Sequence, residues 1–208
     1  MQFIKRSPIL SRCVTILVLV VLGLVALALV LINSPTYIIP PLNPSNPAIA
    51  YVIDYGYHSR LLLPDGNGGW MHYTYGDWRY FALSEQDLSD GLAALFIPTP
   101  STLGRQRLDS IAEFRQELGS QWQDALLSFA VAGADVAELL RSLDERFNDT
   151  IDTRIVNPRN NLAFVRGDRD YTLFHNSNHE LVQWLEQLDC RVEGFVTWPN
   201  FHVKQPQR

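Results

Sequence analysis

Val14 to Ile32 are nineteen consecutive uncharged residues, all apolar apart from Thr15 and Gly23. As a helix rising about 1.5 Å per residue, such a run reaches roughly 28 Å, close to the ~30 Å hydrocarbon core of a bilayer. Lys5, Arg6 and Arg12 precede it without an acidic residue, and the first acid after it is Asp54. Positive-inside asymmetry therefore predicts a single-pass protein of the cytoplasmic (inner) membrane, with its N-terminus in the cytoplasm and everything beyond Ile32 extracytoplasmic, or periplasmic. A cleaved signal peptide is the competing reading, since Ala26-Leu27-Ala28 has the small-x-small form of a cleavage site. The four further apolar residues after Ala28, and the length of the run, favour an uncleaved anchor. Cys13 precedes the run, the wrong side for a lipoprotein anchor.

The remaining chain is long enough for one domain with its own core. All 22 acidic residues but only 14 of the 17 basic ones lie in it, a formal charge of −8. That sign, with no Lys/Arg stripe, excludes a nucleic-acid partner. Cys190 is the one cysteine beyond the apolar run, so neither an intramolecular disulfide nor a thiolate metal cluster can form there. Between anchor and domain, residues 33–48 hold Pro35, Pro40, Pro41, Pro44 and Pro47. This composition predicts a semi-rigid, polyproline-like stalk, with the globular domain over residues 49–208.

Ile49 to Tyr55 reads as a strand, Gly56-Tyr57-His58 as a turn, and Ser59 to Leu63 as a second strand ended by Pro64. Asp65 to Gly69 is a loop, and Trp70 to Tyr75 is strand-like up to Gly76-Asp77. Ser84 followed by Glu85, Gln86 and Asp87 predicts a helix running to Phe96. Leu126 to Val131 fits either strand or helix. Ala134 to Phe147 is amphipathic, with Val136, Leu139, Leu140 and Leu143 on one side. Leu162 to Arg166 and Tyr171 to Phe174 read as a hairpin turning at Gly167-Asp168-Arg169. Glu180 to Leu188 is a helix with Leu181, Trp184, Leu185 and Leu188 inward. Strands in runs favour an α+β fold, an antiparallel sheet with helices packed on one side.

His175-Asn176-Ser177-Asn178 lies between a strand and that last helix. A hydroxyl at a helix N-terminus sits among unpaired N–H groups and the positive end of the dipole, which suits an oxyanion hole. Equally, Asn176, Ser177 or Asn178 serves as an ordinary N-cap, and spacing alone favours that reading.

The turn Gly56-Tyr57-His58-Ser59, the later Tyr75-Gly76-Asp77-Trp78 and Tyr171 to Asn178 resemble, in that order, the motifs of an uncharacterised bacterial membrane-anchored family: a Gly-x-His-Thr-like turn, a Gly-Trp-Gly-Asp-like turn and an Asn-Cys-Asn-like motif opening a helix. That family is in turn similar to circularly permuted NlpC-type papain-like enzymes. The resemblance covers most of residues 49–192. It implies a permuted papain-like fold with His58 as base, Ser177 at the nucleophile position and Asp77 as orienting acid. Gly56, Tyr57, Ser59, Trp78, Asn176 and Asn178 would surround the site and contribute to binding, with backbone amides near Asn178 holding the oxyanion.

Ser177 departs from the family, which expects a thiol. A helix N-terminus and an imidazolium can hold a thiolate, whereas a hydroxyl must lose its proton during attack to a close, neutral base. Cys190 lies too far along the helix to substitute. No cofactor motif is present. The five histidines lack a His-Glu-x-x-His pattern or a clustered carboxylate, which argues against a metal site. The aromatics between Tyr51 and Phe81 are mostly core by strand alternation, although Tyr57 and Trp78 could line a groove for an acyl chain or a peptide. Two functions follow. One is a hydrolase or acyltransferase relative acting on cell-envelope amides or esters, with serine-based or impaired chemistry. The other is a non-catalytic envelope-binding domain that keeps the fold and cleft.

Overall fold

The computed structural model describes residues 8–55, 58–85, 97–119, 122, 125–159 and 161–206. Gly56, Tyr57 and the helix expected to follow Ser84 as far as Phe96 lie outside the described residues, apart from Ser84 and Glu85, which are not helical. The chain divides into two compact units between Ser34 and Pro35. The first contains α1 (Pro8–Asn33). Among the described residues, its Arg12–Leu31 stretch is the one long and apolar enough to cross a membrane.

The second unit carries two sheets. Among the described residues, seven strands form one antiparallel sheet, ordered β6-β2-β3-β4-β5-β8-β7. These strands are β2 (Pro47–Asp54), β3 (Ser59–Pro64), β4 (Trp70–Asp77), β5 (Thr99–Leu108), β6 (Leu126–Ala132), β7 (Ile155–Val156) and β8 (Ala163–Tyr171). A smaller sheet sets β1 (Thr36–Ile39) between β9 (Arg191–Glu193), antiparallel, and β10 (Phe201–Val203), parallel. The helices of this unit are α2 (Ile111–Glu117), α3 (Gly133–Asp149) and α4 (Ser177–Gln187).

Alternation along the strands separates two buried faces. On one, Ala50, Val52, Leu61, Leu63, Tyr73, Tyr75, Leu103 and Val165 meet Val136, Leu139, Leu143 and Phe147 of α3 and Leu181, Trp184 and Leu185 of α4. The helical residues recur every three or four positions, the stripe that amphipathic packing requires. On the other face, Ile53, Leu62 and Leu126 pack with Ile111 and Phe114 of α2. Beyond them, Phe164 and Leu162 pack with Trp78, Phe81 and Ala82 of a π-helical turn, Trp78–Ala82. The α+β class and the antiparallel sheet therefore hold. Confinement of helices to one side is true only of the two long ones, because a sheet apolar on both faces must be covered on both.

Two local expectations are corrected and one left open is resolved. The proline-rich stalk is no free spacer: Thr36, Ile38 and Ile39 are buried and β1 is the middle strand of the small sheet. The proline-free Thr36-Tyr37-Ile38-Ile39 has the β-branched and aromatic composition that strand pairing favours. The expected hairpin at Gly167-Asp168-Arg169 is one continuous strand, β8. Between the pairs Pro100↔Asp170 and Thr102↔Arg166 the register shifts, so the triplet is a bulge. Gly167 serves a close approach there, since a Cβ would lie 2.1 Å from Ser101 Oγ. Finally, Leu126 to Val131 is a strand, fixed by pairing with β2 from Ile53↔Leu126 to Pro47↔Ala132.

Phe147 is 0 % exposed, and the Arg105 guanidinium lies 3.9 Å above its ring. Truncation leaves a cavity that rigid strands cannot close. Phe147→Ala is expected to cost about 3–5 kcal/mol, read from urea denaturation of the full chain in detergent micelles.

Candidate functional site

The N-terminus of α4 is built by Asn176. Its extended backbone ends the preceding turn, and its side-chain Oδ1 accepts the N–H groups of Asn178 at 3.0 Å and His179 at 3.2 Å. His179 Nδ1 lies 2.9 Å from the same oxygen. The Asn176 carbonyl accepts from Glu180 N at 3.1 Å. Asn176 Nδ2 and Asn178 Nδ2 both donate to the Thr197 carbonyl, at 3.1 and 3.3 Å, tying the helix start to the segment before β10. Asn176 is thus the N-cap.

Ser177 is 1 % exposed. The phenol of Tyr171 lies against both its backbone N–H and its hydroxyl, and burial, the largest influence, raises the Tyr171 pKa. The Ser177 Oγ completes no well-angled hydrogen bond. The N–H groups of Ser177, Asn178, His179 and Glu180 are all engaged, so the helix start presents no free oxyanion hole.

One turn on, Glu180 is buried and polar contacts converge on it. Its Oε1 accepts from Arg146 Nη1 at 2.5 Å and from Trp184 Nε1 at 3.1 Å, and its Oε2 lies 3.3 Å from His175 Nε2, within ion-pair reach but not aligned as a hydrogen bond. Arg146 continues to Asp168, in the β8 bulge, at 3.0 Å. Burial works against the Arg146 charge, yet Glu180 and Asp168 outweigh it and hold its pKa above the ordinary value. This network joins α3, α4 and β8. The sequence signals only its pieces, an Arg in the last turn of one helix and a Glu in the first turn of another.

His58 stands elsewhere. Its Nε2 is 2.7 Å from Thr74 Oγ1 and its ring 4.4 Å from that of Phe81. Thr74 alternates with Tyr73 and Tyr75, which face α4, so Thr74 and His58 belong to the opposite face. Phe81 lies over Gly76, where a Cβ would be 2.2 Å from its ring. The electrostatic neighbours of His58 are Arg60 and His72. His58 and Ser177 have no partner in common: Thr74 and Phe81 stand against the first, and Tyr171 against the second.

Asp77 is equally committed. It caps the π-helical turn, accepting from Tyr80 N at 2.8 Å and from the Thr99 hydroxyl, and it does not orient His58. Of the residues expected to bind, Trp78 is core, with the Arg166 guanidinium 4.9 Å from its ring, and Ser59 Oγ donates to Asp54 Oδ1 at 3.5 Å. Asn178 is fully buried, and Gly56 and Tyr57 lie outside the described residues. Burial pushes the Cys190 thiol up to about 12, far from a nucleophile. Among the described residues, no group of three or more His, Cys, Asp or Glu is placed to hold a metal ion. No family model, curated protein or solved structure matches the chain.

Two predictions follow from this geometry. Asn176→Ala leaves the first turn uncapped and is expected to cost about 1–2 kcal/mol by urea denaturation, with Asn176→Asp recovering most of it. Burial, reinforced by Arg60, lowers the pKa values of His58 and His72 well below the usual histidine range. The unfolded chain binds protons at these rings below about pH 6.5 while the folded chain does not. Stability should therefore fall as pH drops from 7 to 5, by up to about 1.4 kcal/mol per pH unit for each ring. His72→Gln should remove one ring's share, measured as urea midpoints across that range.

Proposed function

We propose that residues 35–208 form a non-catalytic binding domain of the cell envelope, tethered by α1 with the N-terminus in the cytoplasm and the globular unit outside. The ordered motifs resembling permuted papain-like enzymes support a shared ancestry in which the nucleophile position, Ser177, is now a buried first residue of α4 behind the Asn176 cap. The observation that carries this reading is that His58 and Ser177 are each committed to other partners, His58 to Thr74 and Phe81 and Ser177 to Tyr171. A serine nucleophile needs a base within hydrogen-bond reach and donors for the oxyanion. Ser177 has neither: its hydroxyl is buried beside a phenol and the adjacent N–H groups are engaged. The apolar Arg12–Leu31 helix and the absence of acids before Asp54 support the tether and its direction.

The full chain in detergent micelles is expected to remain unlabelled by a fluorophosphonate probe while fully folded. Ser177→Cys should gain no rapid reaction with iodoacetamide at pH 7, because no imidazole is placed to hold a thiolate. Labelling that disappears in both Ser177→Ala and His58→Ala would restore the enzymatic reading.

A further inference from the structure

Four buried nitrogens without a hydrogen-bond partner lie on the sheet face opposite α4: His58 Nδ1, Arg60 Nε and both ring nitrogens of His72. His58 and Arg60 are two apart on the β3 side, and His72 and Thr74 are two apart on β4, so alternation gives all four side chains one face. Gln106 sits against the His72 ring without completing a well-angled bond. Arg60 is half-buried with its Nε enclosed, its pKa lowered chiefly by desolvation, and the acidic group acting on it is the Tyr55 phenol, itself kept protonated by burial. Among the described residues, no carboxylate pairs with it.

A guanidinium drawn partly out of water without an anion is unfavourable, and buried polar atoms in folded proteins are almost always satisfied. Aromatic rings surround this basic floor. Tyr55 lies 5.1 Å from the guanidinium carbon with Trp122 edge-on to it, Phe81 is against His58, and Phe114 is 5.5 Å from the His72 ring.

We propose that Arg60, His58 and His72 form the floor of a binding site for a carboxylate carried on an aromatic or aliphatic body. The proposal rests on the binding reading and gives it a ligand class. Arg60 supplies the single positive charge and a planar fork that matches a carboxylate. If Thr74 Oγ1 donates to His58 Nε2, the ring proton stands on Nδ1, the unpartnered nitrogen, and can be donated to a carboxylate oxygen. His72 supplies a further N–H. One cation with two neutral donors balances one negative charge, whereas a phosphate dianion would leave a buried charge unpaired. The rings around the floor suit the apolar body of the ligand.

The test titrates benzoate into the full chain in phosphatidylcholine nanodiscs, followed by calorimetry and tryptophan fluorescence. Saturable one-to-one binding is expected, with neutral benzamide and inorganic phosphate each at least tenfold weaker. Arg60→Met should weaken benzoate at least tenfold while its unfolding midpoint stays equal or rises, since a partly desolvated charge with no acid partner among the described residues is removed. Should that variant misfold by near-ultraviolet circular dichroism, Arg60→Lys keeps the charge without the fork and should bind at least threefold more weakly. Oleate doped into the nanodiscs distinguishes the sources: competition with benzoate identifies a lipid carboxylate, and none identifies a soluble one. No saturable binding, equal affinity for benzamide, or benzoate binding untouched by Arg60→Met overturns the proposal. Absent binding in an unlabelled protein sinks this site alone, whereas fluorophosphonate labelling at Ser177 sinks the non-catalytic reading instead.

Discussion

Period-two alternation along β3 and β4 governs this domain. These strands lie near the middle of the large sheet, so each residue step exchanges one buried environment for another. Leu61, Leu63, Tyr73 and Tyr75 are committed to α3 and α4 by the same pleat that commits Arg60, Leu62, His72 and Thr74 to the other side. A one-residue slip would drive a guanidinium and an imidazole into the apolar contact with Leu181 and Trp184. Register is therefore specified from both faces at once.

The two faces treat their polar groups differently. Beside α4, charge is paired: Arg146 lies between Glu180 and Asp168, and Trp184 adds a donor. Such a network fixes how two helices and a strand dock, because each charge is costly in any arrangement that separates it from its partners. Opposite, Arg60, His58 and His72 are basic side chains enclosed by rings, with no acid among the described residues to balance them. A sequence under selection for stability alone would place apolar residues there, since replacing unpaired buried charge is commonly stabilising.

Much of this was legible in the chain. The apolar run from Val14, the strands around His58, the helix from Ala134 and the apolar stripe of α4 all follow from periodicity, and the preference for an Asn176-type cap follows from residue type. Other features depend on pairing that no local window contains. β8 reads through Gly-Asp-Arg because β5 continues beside it and Ser101 needs the room left by Gly167. β1 forms inside a proline-rich stretch because β9 and β10, far along the chain, flank it. The expected dyad rested on motif order, which places His58 next to a strand and Ser177 next to a helix, whereas the pleat that decides the face of each side chain is not contained in either motif.

The position of β1 has a mechanical consequence. Only Ser34 and Pro35 separate it from α1, and it is hydrogen-bonded on both sides, parallel to β10 and antiparallel to β9. Releasing β1 from the unit therefore requires breaking its pairings with both β9 and β10. The first residues after α1 are thus stapled on two sides to strands from the far end of the chain, an attachment that a freely extended spacer would lack.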